Sequence, residues 1–145
     1  MSLNNEVSEK HLDMEMDDLD KYQAFSEPAL EWARYFSSLI GASYSFPFGN
    51  DSMVYKVAGK MFGLIYEKDG LLRLNLKCEP EHAQELRHIF TSVIPGYHMN
   101  KKHWNTLLLN GELPKGEIER QIDHSYQLVV DKLPKKQRLL LGHNR

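Results

Sequence analysis

Three short apolar runs, at residues 53–58, 61–66 and 71–77, constrain this chain more than any other feature. The connections between them, Gly59-Lys60 and Glu67-Lys68-Asp69-Gly70, are too short for the crossover that parallel strands need. The three runs must therefore pair as antiparallel hairpins. In the third run Leu72, Leu74 and Leu76 alternate with Arg73, Asn75 and Lys77, which predicts one buried sheet face and one wet, basic face. Lys56, between Tyr55 and Val57, joins that wet face where the registers agree.

Helical spacing surrounds the strands. Ser26 caps and Pro28 starts a helix expected to run to Ile40, with Leu30, Ala33, Phe36, Leu39 and Ile40 on its apolar face and Gly41 as its stop. Phe46-Pro47-Phe48-Gly49 reads as a turn anchored by its aromatic rings. Glu79-Pro80-Glu81 opens a second helix with Leu86, Ile89 and Phe90 as its buried stripe. Ile118, Ile122, Tyr126, Val129 and Leu133 mark a long last helix that Pro134 ends, and Lys135, Lys136 and Arg138 form a further basic turn before Gly142. The order of elements gives an α+β domain: an antiparallel sheet with helices packed on one face, a two-layer sandwich.

A chain of 145 residues that is 41% hydrophobic is enough for one globular core without staples. The expected division is an acidic N-terminal extension at 1–25, one domain at 26–141 and a tail at 142–145. Leu12, Met16 and Leu19 give the extension the spacing of a short helix. Its first twenty residues hold seven acids against Lys10 alone, which leaves 17 basic and 13 acidic residues beyond them. An acidic arm thus precedes a mildly basic body, and the net charge of −2 argues against a protein that coats DNA indiscriminately. A single cysteine, Cys78, no secretory pattern at the start and no apolar run of membrane-spanning length lead to the expectation of a cytoplasmic, membrane-free protein, with a monomer favoured.

The most distinctive stretch is 94–106, where Pro95-Gly96 and Asn100 punctuate a connection into a strand beginning near Trp104. His98, Asn100, Lys101, Lys102, His103, Trp104 and Asn105 supply charge, stacking surface and amide groups, the means by which proteins hold nucleic acid. The competing reading makes Tyr97 and Trp104 core aromatics and the asparagines turn residues. His98 and His103 lack the further ligands of a metal pattern, and Gly59-Lys60 lacks the Walker arrangement. Asp123-His124-Ser125 carries triad residue types, but neighbours on a helix diverge by about 100°. Cys78 is expected to be a buried structural thiol, and no cofactor is called for.

Taken together, Phe46-Pro47-Phe48-Gly49, Gly59-Lys60-Met61-Phe62, Leu74-Asn75-Leu76-Lys77-Cys78, the stretch from Pro95 to Asn105, Leu113-Pro114, Asp123-His124-Ser125-Tyr126 and Leu133-Pro134-Lys135-Lys136 resemble the MmcQ/YjbR family over roughly residues 26 to 138. The resemblance implies a CyaY-like (frataxin-like) α+β fold and, since members are described as DNA-binding on grounds of fold, a non-enzymatic nucleic-acid-binding role. The acidic arm departs from the short start usual in the family. The expected contact set is Lys56, Lys60, Arg73, Lys77, His98, Asn100, Lys101, Lys102, His103, Trp104, Asn105, Lys135, Lys136 and Arg138. The alternative is a module that binds a protein or a small ligand through the exposed sheet face around Arg73, Asn75 and Lys77.

Overall fold

The computed structural model describes residues 17–142. Its elements are α1 (Asp18–Gln23), α2 (Glu27–Ser37), β1 (Ala42–Ser45), β2 (Ser52–Val57), β3 (Lys60–Lys68), β4 (Leu71–Lys77), α3 (Pro80–Ile89), β5 (Val93–Pro95), β6 (Trp104–Leu108), α4 (Lys115–Asp131) and α5 (Lys135–Leu140). The six strands form one antiparallel sheet in the order β1-β2-β3-β4-β6-β5. α4 packs across β2, β3 and β4, α2 against β1 and β3, and α3 against β5 and β6. This is the expected α+β layering.

The meander closes more tightly than the sequence suggested. Ala58 and Gly59 both take positive φ (50° and 76°), as do Asp69 and Gly70 (55° and 75°). These are two-residue primed turns whose twist matches that of the strands they join. Between β2 and β3 the register slips, Tyr55 opposing Gly63 while Lys56 opposes Met61, so Phe62 is the extra residue of a bulge. Phe62 and Ile65 join the helix-side core, and Phe36 of α2 stacks on Tyr55 with centroids 4.9 Å apart. Gly63 makes this fit possible, because a Cβ there would lie 2.2 Å from the Phe36 ring.

Several local expectations change. α2 stops at Ser37, leaving Ile40 exposed, and Ile89 is exposed too, so the buried stripe of α3 is Ala83 and Leu86. β1 was not foreseen. It is a four-residue edge strand that borrows its order from β2, with Ala42 opposite Val57 and Tyr44 packed on Tyr55. The proposed helix on Leu12, Met16 and Leu19 falls largely outside the described residues. Its describable end, α1, rests on the body: Tyr22 lies 4.9 Å from Tyr44 and Phe25 lies 6.1 Å from Phe46.

The second sheet face is not simply wet. Val54, Leu64 and Tyr66 form a separate buried cluster there, and Asn75 is only 1% exposed. Tyr97, His98 and Met99 lie beside Leu64, Tyr66 and Asn75 of this face. Asn75 Nδ2 donates to Tyr97 O (3.0 Å), while Asn75 Oδ1 accepts from Tyr66 (2.9 Å) and from Thr106 Oγ1 (2.7 Å), which in turn accepts from Tyr97 N (2.8 Å). A buried amide survives here because its oxygen accepts twice and its nitrogen donates once, all to local partners.

Candidate nucleic-acid interface

The connection between β5 and β6 is built around buried anchors. Gly96 N donates to Trp104 O (2.8 Å), and a Cβ at Gly96 would lie 2.7 Å from that of Trp104, so the chain can approach this closely only without a side chain. Asn100 Oδ1 accepts from Lys102 N (2.9 Å) and His103 N (3.2 Å), a side-chain-stapled turn. From α3, Arg87 donates to Asn105 Oδ1 (2.6 Å), to Trp104 O (3.2 Å) and to Lys101 O. Asn105 Nδ2 reaches Ala83 O (3.4 Å). Arg87 thereby clamps the hairpin to the helix.

This geometry corrects part of the expected contact set. Trp104 is 8% exposed and Asn105 1% exposed, so neither ring nor amide is available for stacking or base contact. Asn100 spends its oxygen on its own turn. What the turn presents outward is Lys101 and Lys102, both exposed; the Lys101 amine also reaches Gly96 O at 3.3 Å. His103 is half-buried, and its carbonyl accepts from Cys78 N (2.8 Å). His98 is exposed at φ 58°, its ring 4.0 Å from that of Tyr97.

Antiparallel pairing brings the end of β2, the start of β3, the end of β4 and the start of β6 to one end of the sheet. There Lys60, Lys77 and Lys132 line a hollow of about 430 Å³, with Met61, Val129 and Leu133 between them. Lys77 pairs with Trp104 across the strands, so the turn carrying Lys101 and Lys102 lies beyond the same end. Burial first, then the charges of Lys132 and Lys60, hold the Lys77 amine below its ordinary pKa. Among the described residues none of these five lysines has a carboxylate within ion-pair distance. The described part of the acidic arm does not cover them, since α1 sits near Asn50, Asp51 and Glu67 at the opposite end, where Lys21, Phe25 and those residues line another hollow.

The remaining candidates scatter. Arg73 is four residues from Lys77 along β4, roughly 13 Å; it lies beside Tyr66, its Nε buried without a partner. Lys56 is half-buried between Ser43 and Met61 on the neighbouring strands. Lys135 and Lys136 are exposed in the first turn of α5, just past Lys132 and Leu133, whereas Arg138 turns back to donate to Leu133 O. Lys132 and Arg87 were absent from the expected set. The basic run of the chain's end starts at Lys132, which is a signal for the first; nothing local marks the second.

Other chemistry is dispersed. Tyr35 donates to Asp123 Oδ1 (2.7 Å), Glu79 N donates to His124 Nε2 (3.4 Å), and Ser125 bonds Phe62 O and Lys77 N, so the three triad-type residues bond different neighbours and not one another. Cys78 is buried, and burial pushes its thiol up to about 11, far from a reactive thiolate. Among the described residues no group of three His, Cys, Asp or Glu side chains is placed to hold a metal ion, and no helix is long and apolar enough to cross a membrane.

Fold and site define a small two-layer α+β protein with a lysine-rich sheet end. The chain belongs to the YjbR family, whose sequence model matches residues 37–128. It is 40% identical over 90 residues to YbdF of Escherichia coli O157:H7, covering 62% of this chain and 74% of that one. Against YyaQ of Bacillus subtilis (strain 168) it is 46% identical over 56 residues, 39% of this chain and 47% of the relative. The crystal structure of Deinococcus radiodurans DR2400, a DUF419 domain, superposes with a TM-score of 0.72 at 36% identity, over 78% of this chain and 86% of that one. A Pseudomonas syringae crystal structure gives 0.61 at 28% identity, over 72% and 98%.

Proposed function

We propose that this protein binds nucleic acid, without catalysing a reaction, by gripping phosphates with the lysines at one end of its sheet. The observation that carries the reading is the convergence of Lys60, Lys77 and Lys132 on one hollow, without ion-pair partners among the described residues and beside the Lys101-Lys102 turn. Burial first and then the charges of Lys132 and Lys60 lower the Lys77 pKa, and an anion entering the hollow relieves the second of these. Phosphate is the anion that several lysines on different elements can share.

With Trp104 and Asn105 buried, the lysines dominate what the interface presents, and the phosphate contacts they make carry no sequence information. Binding should therefore be nearly indifferent to sequence. The experiment is a titration of short DNA duplexes of unrelated sequence with the wild type and with a Lys60→Gln, Lys77→Gln, Lys132→Gln variant. Equal wild-type affinity across sequences, with clear weakening in the variant, is the expected result; unchanged affinity in a folded variant rejects the lysine end as the contact.

A further inference from the structure

On the loop-covered face lies a cavity of about 290 Å³ whose lining includes Phe48, Leu64, Tyr66, Asn75, Tyr97 and Met99. Such a volume is at the lower limit of small-molecule sites, about 300 Å³, and admits one ring system rather than a dinucleotide or peptide. Its remaining walls are Ser52 and His98, so no lysine, arginine or carboxylate lines it. The lining itself supplies no counter-charge to a charged ligand, and the nearby Lys68 amine is engaged over the Tyr97 ring, 4.9 Å from its centroid.

Shape and polarity narrow the class further. Tyr66 and Tyr97 present nearly parallel rings, 24° apart with centroids at 6.5 Å, while Leu64 and Met99 add apolar surface suited to the face of a flat ring. Phe48 stands at this cavity 68% exposed, a large apolar side chain that its own fold leaves uncovered. Polar capacity comes from Asn75 and Tyr66. The Asn75 oxygen is filled by two donors, but its amide nitrogen gives one hydrogen to Tyr97 O and keeps a second, and the Tyr66 oxygen that donates to Asn75 retains lone pairs. A donor beside an acceptor matches the edge of a heteroaromatic ring that carries an acceptor beside an N–H.

We infer that this cavity binds a single uncharged planar heteroaromatic ring of the nucleobase class, stacked against the Tyr66, Tyr97 and Phe48 side chains and hydrogen-bonded by Asn75. The site is argued independently of the lysine end and stands if that end proves silent, although both use the 96–103 connection.

The test is a titration of the isotope-labelled full chain, followed by amide NMR, with adenosine, cytidine, ribose 5-phosphate and the non-planar alcohol cyclohexanol as separate probes. Nucleosides should produce saturable shifts at the backbone amides of Tyr97, His98 and Met99 and at the Asn75 side-chain amide, whereas the sugar phosphate and cyclohexanol should not. Phe48→Ala, at an exposed position, should weaken nucleoside binding about tenfold, and Tyr66→Phe, which keeps the ring, should weaken it by removing the acceptor. No saturable shift with either nucleoside, equal shifts with cyclohexanol or ribose 5-phosphate, or unchanged binding in both folded variants would overturn the inference.

Discussion

On the helix side of the sheet, Phe36, Phe62, Ile65, Leu74 and Ile122 interlock in one apolar core. On the other side, the smaller cluster of Val54, Leu64 and Tyr66 is met at Leu64 and Tyr66 by a few residues of connection held by hydrogen bonds to Asn75 and Thr106. A dry core closed by three helices gains from every methylene it buries. A loop pinned by hydrogen bonds gains less, because those bonds replace ones to water, and it leaves a cavity behind. The helix side thus secures the fold, while the loop side, closed by fewer apolar contacts, keeps a cavity.

The sharpest break in that contrast is at Phe36. Phe36→Ala should cost about 3–5 kcal/mol, measured by chemical denaturation, since the ring fills the space over Gly63 and stacks on Tyr55. On the loop side, Thr106→Val removes the hydroxyl that joins Asn75 to Tyr97 N. Its expected cost is about 1–3 kcal/mol, with faster hydrogen exchange concentrated at the Tyr97 amide. Equal costs for the two variants would show that the faces are not divided as described.

A smaller effect lies at the rim of the helix side. His124 is held below its ordinary pKa of 6.5 by burial and by His82, against a weaker opposing pull from Glu79. A depressed folded-state pKa contributes stability above the unfolded value and loses it as pH falls through the folded one. His124 must be neutral to accept from Glu79 N. Stability of the wild type should therefore decline from about neutral pH toward the acid side, and His124→Gln should flatten that decline in pH-dependent denaturation.

Much of the architecture was legible because its signals are local. The short connection ending in Asp69-Gly70 marks a hairpin, Ser26 accepts from Ala29 N as a cap, and the Leu72-Leu74-Leu76 alternation places β4. The site was less so. Trp104 and Asn105 beside two lysines have the composition of a stacking platform, yet Arg87, seventeen residues earlier on another element, draws the Trp104 carbonyl and the Asn105 side chain inward. Lys132 meets Lys60 only because α4 packs across the sheet, and the bulge that sends Phe62 to the helix side leaves no composition signal beyond Gly63. Long-range packing decided each of these. Asn75 looked solvated because it alternates with leucines, and only the folded connection shows what buries it.

On a DNA duplex, salt dependence counts phosphate contacts, because each phosphate neutralised releases condensed counterions. The measurement is the slope of log affinity for a short DNA duplex against log salt concentration, for the wild type and for the Lys60→Gln, Lys77→Gln, Lys132→Gln variant. Loss of three contacts should make the variant's slope shallower by about 2.7. A folded variant whose slope equals that of the wild type would contradict the assignment of the lysine-lined sheet end to phosphate.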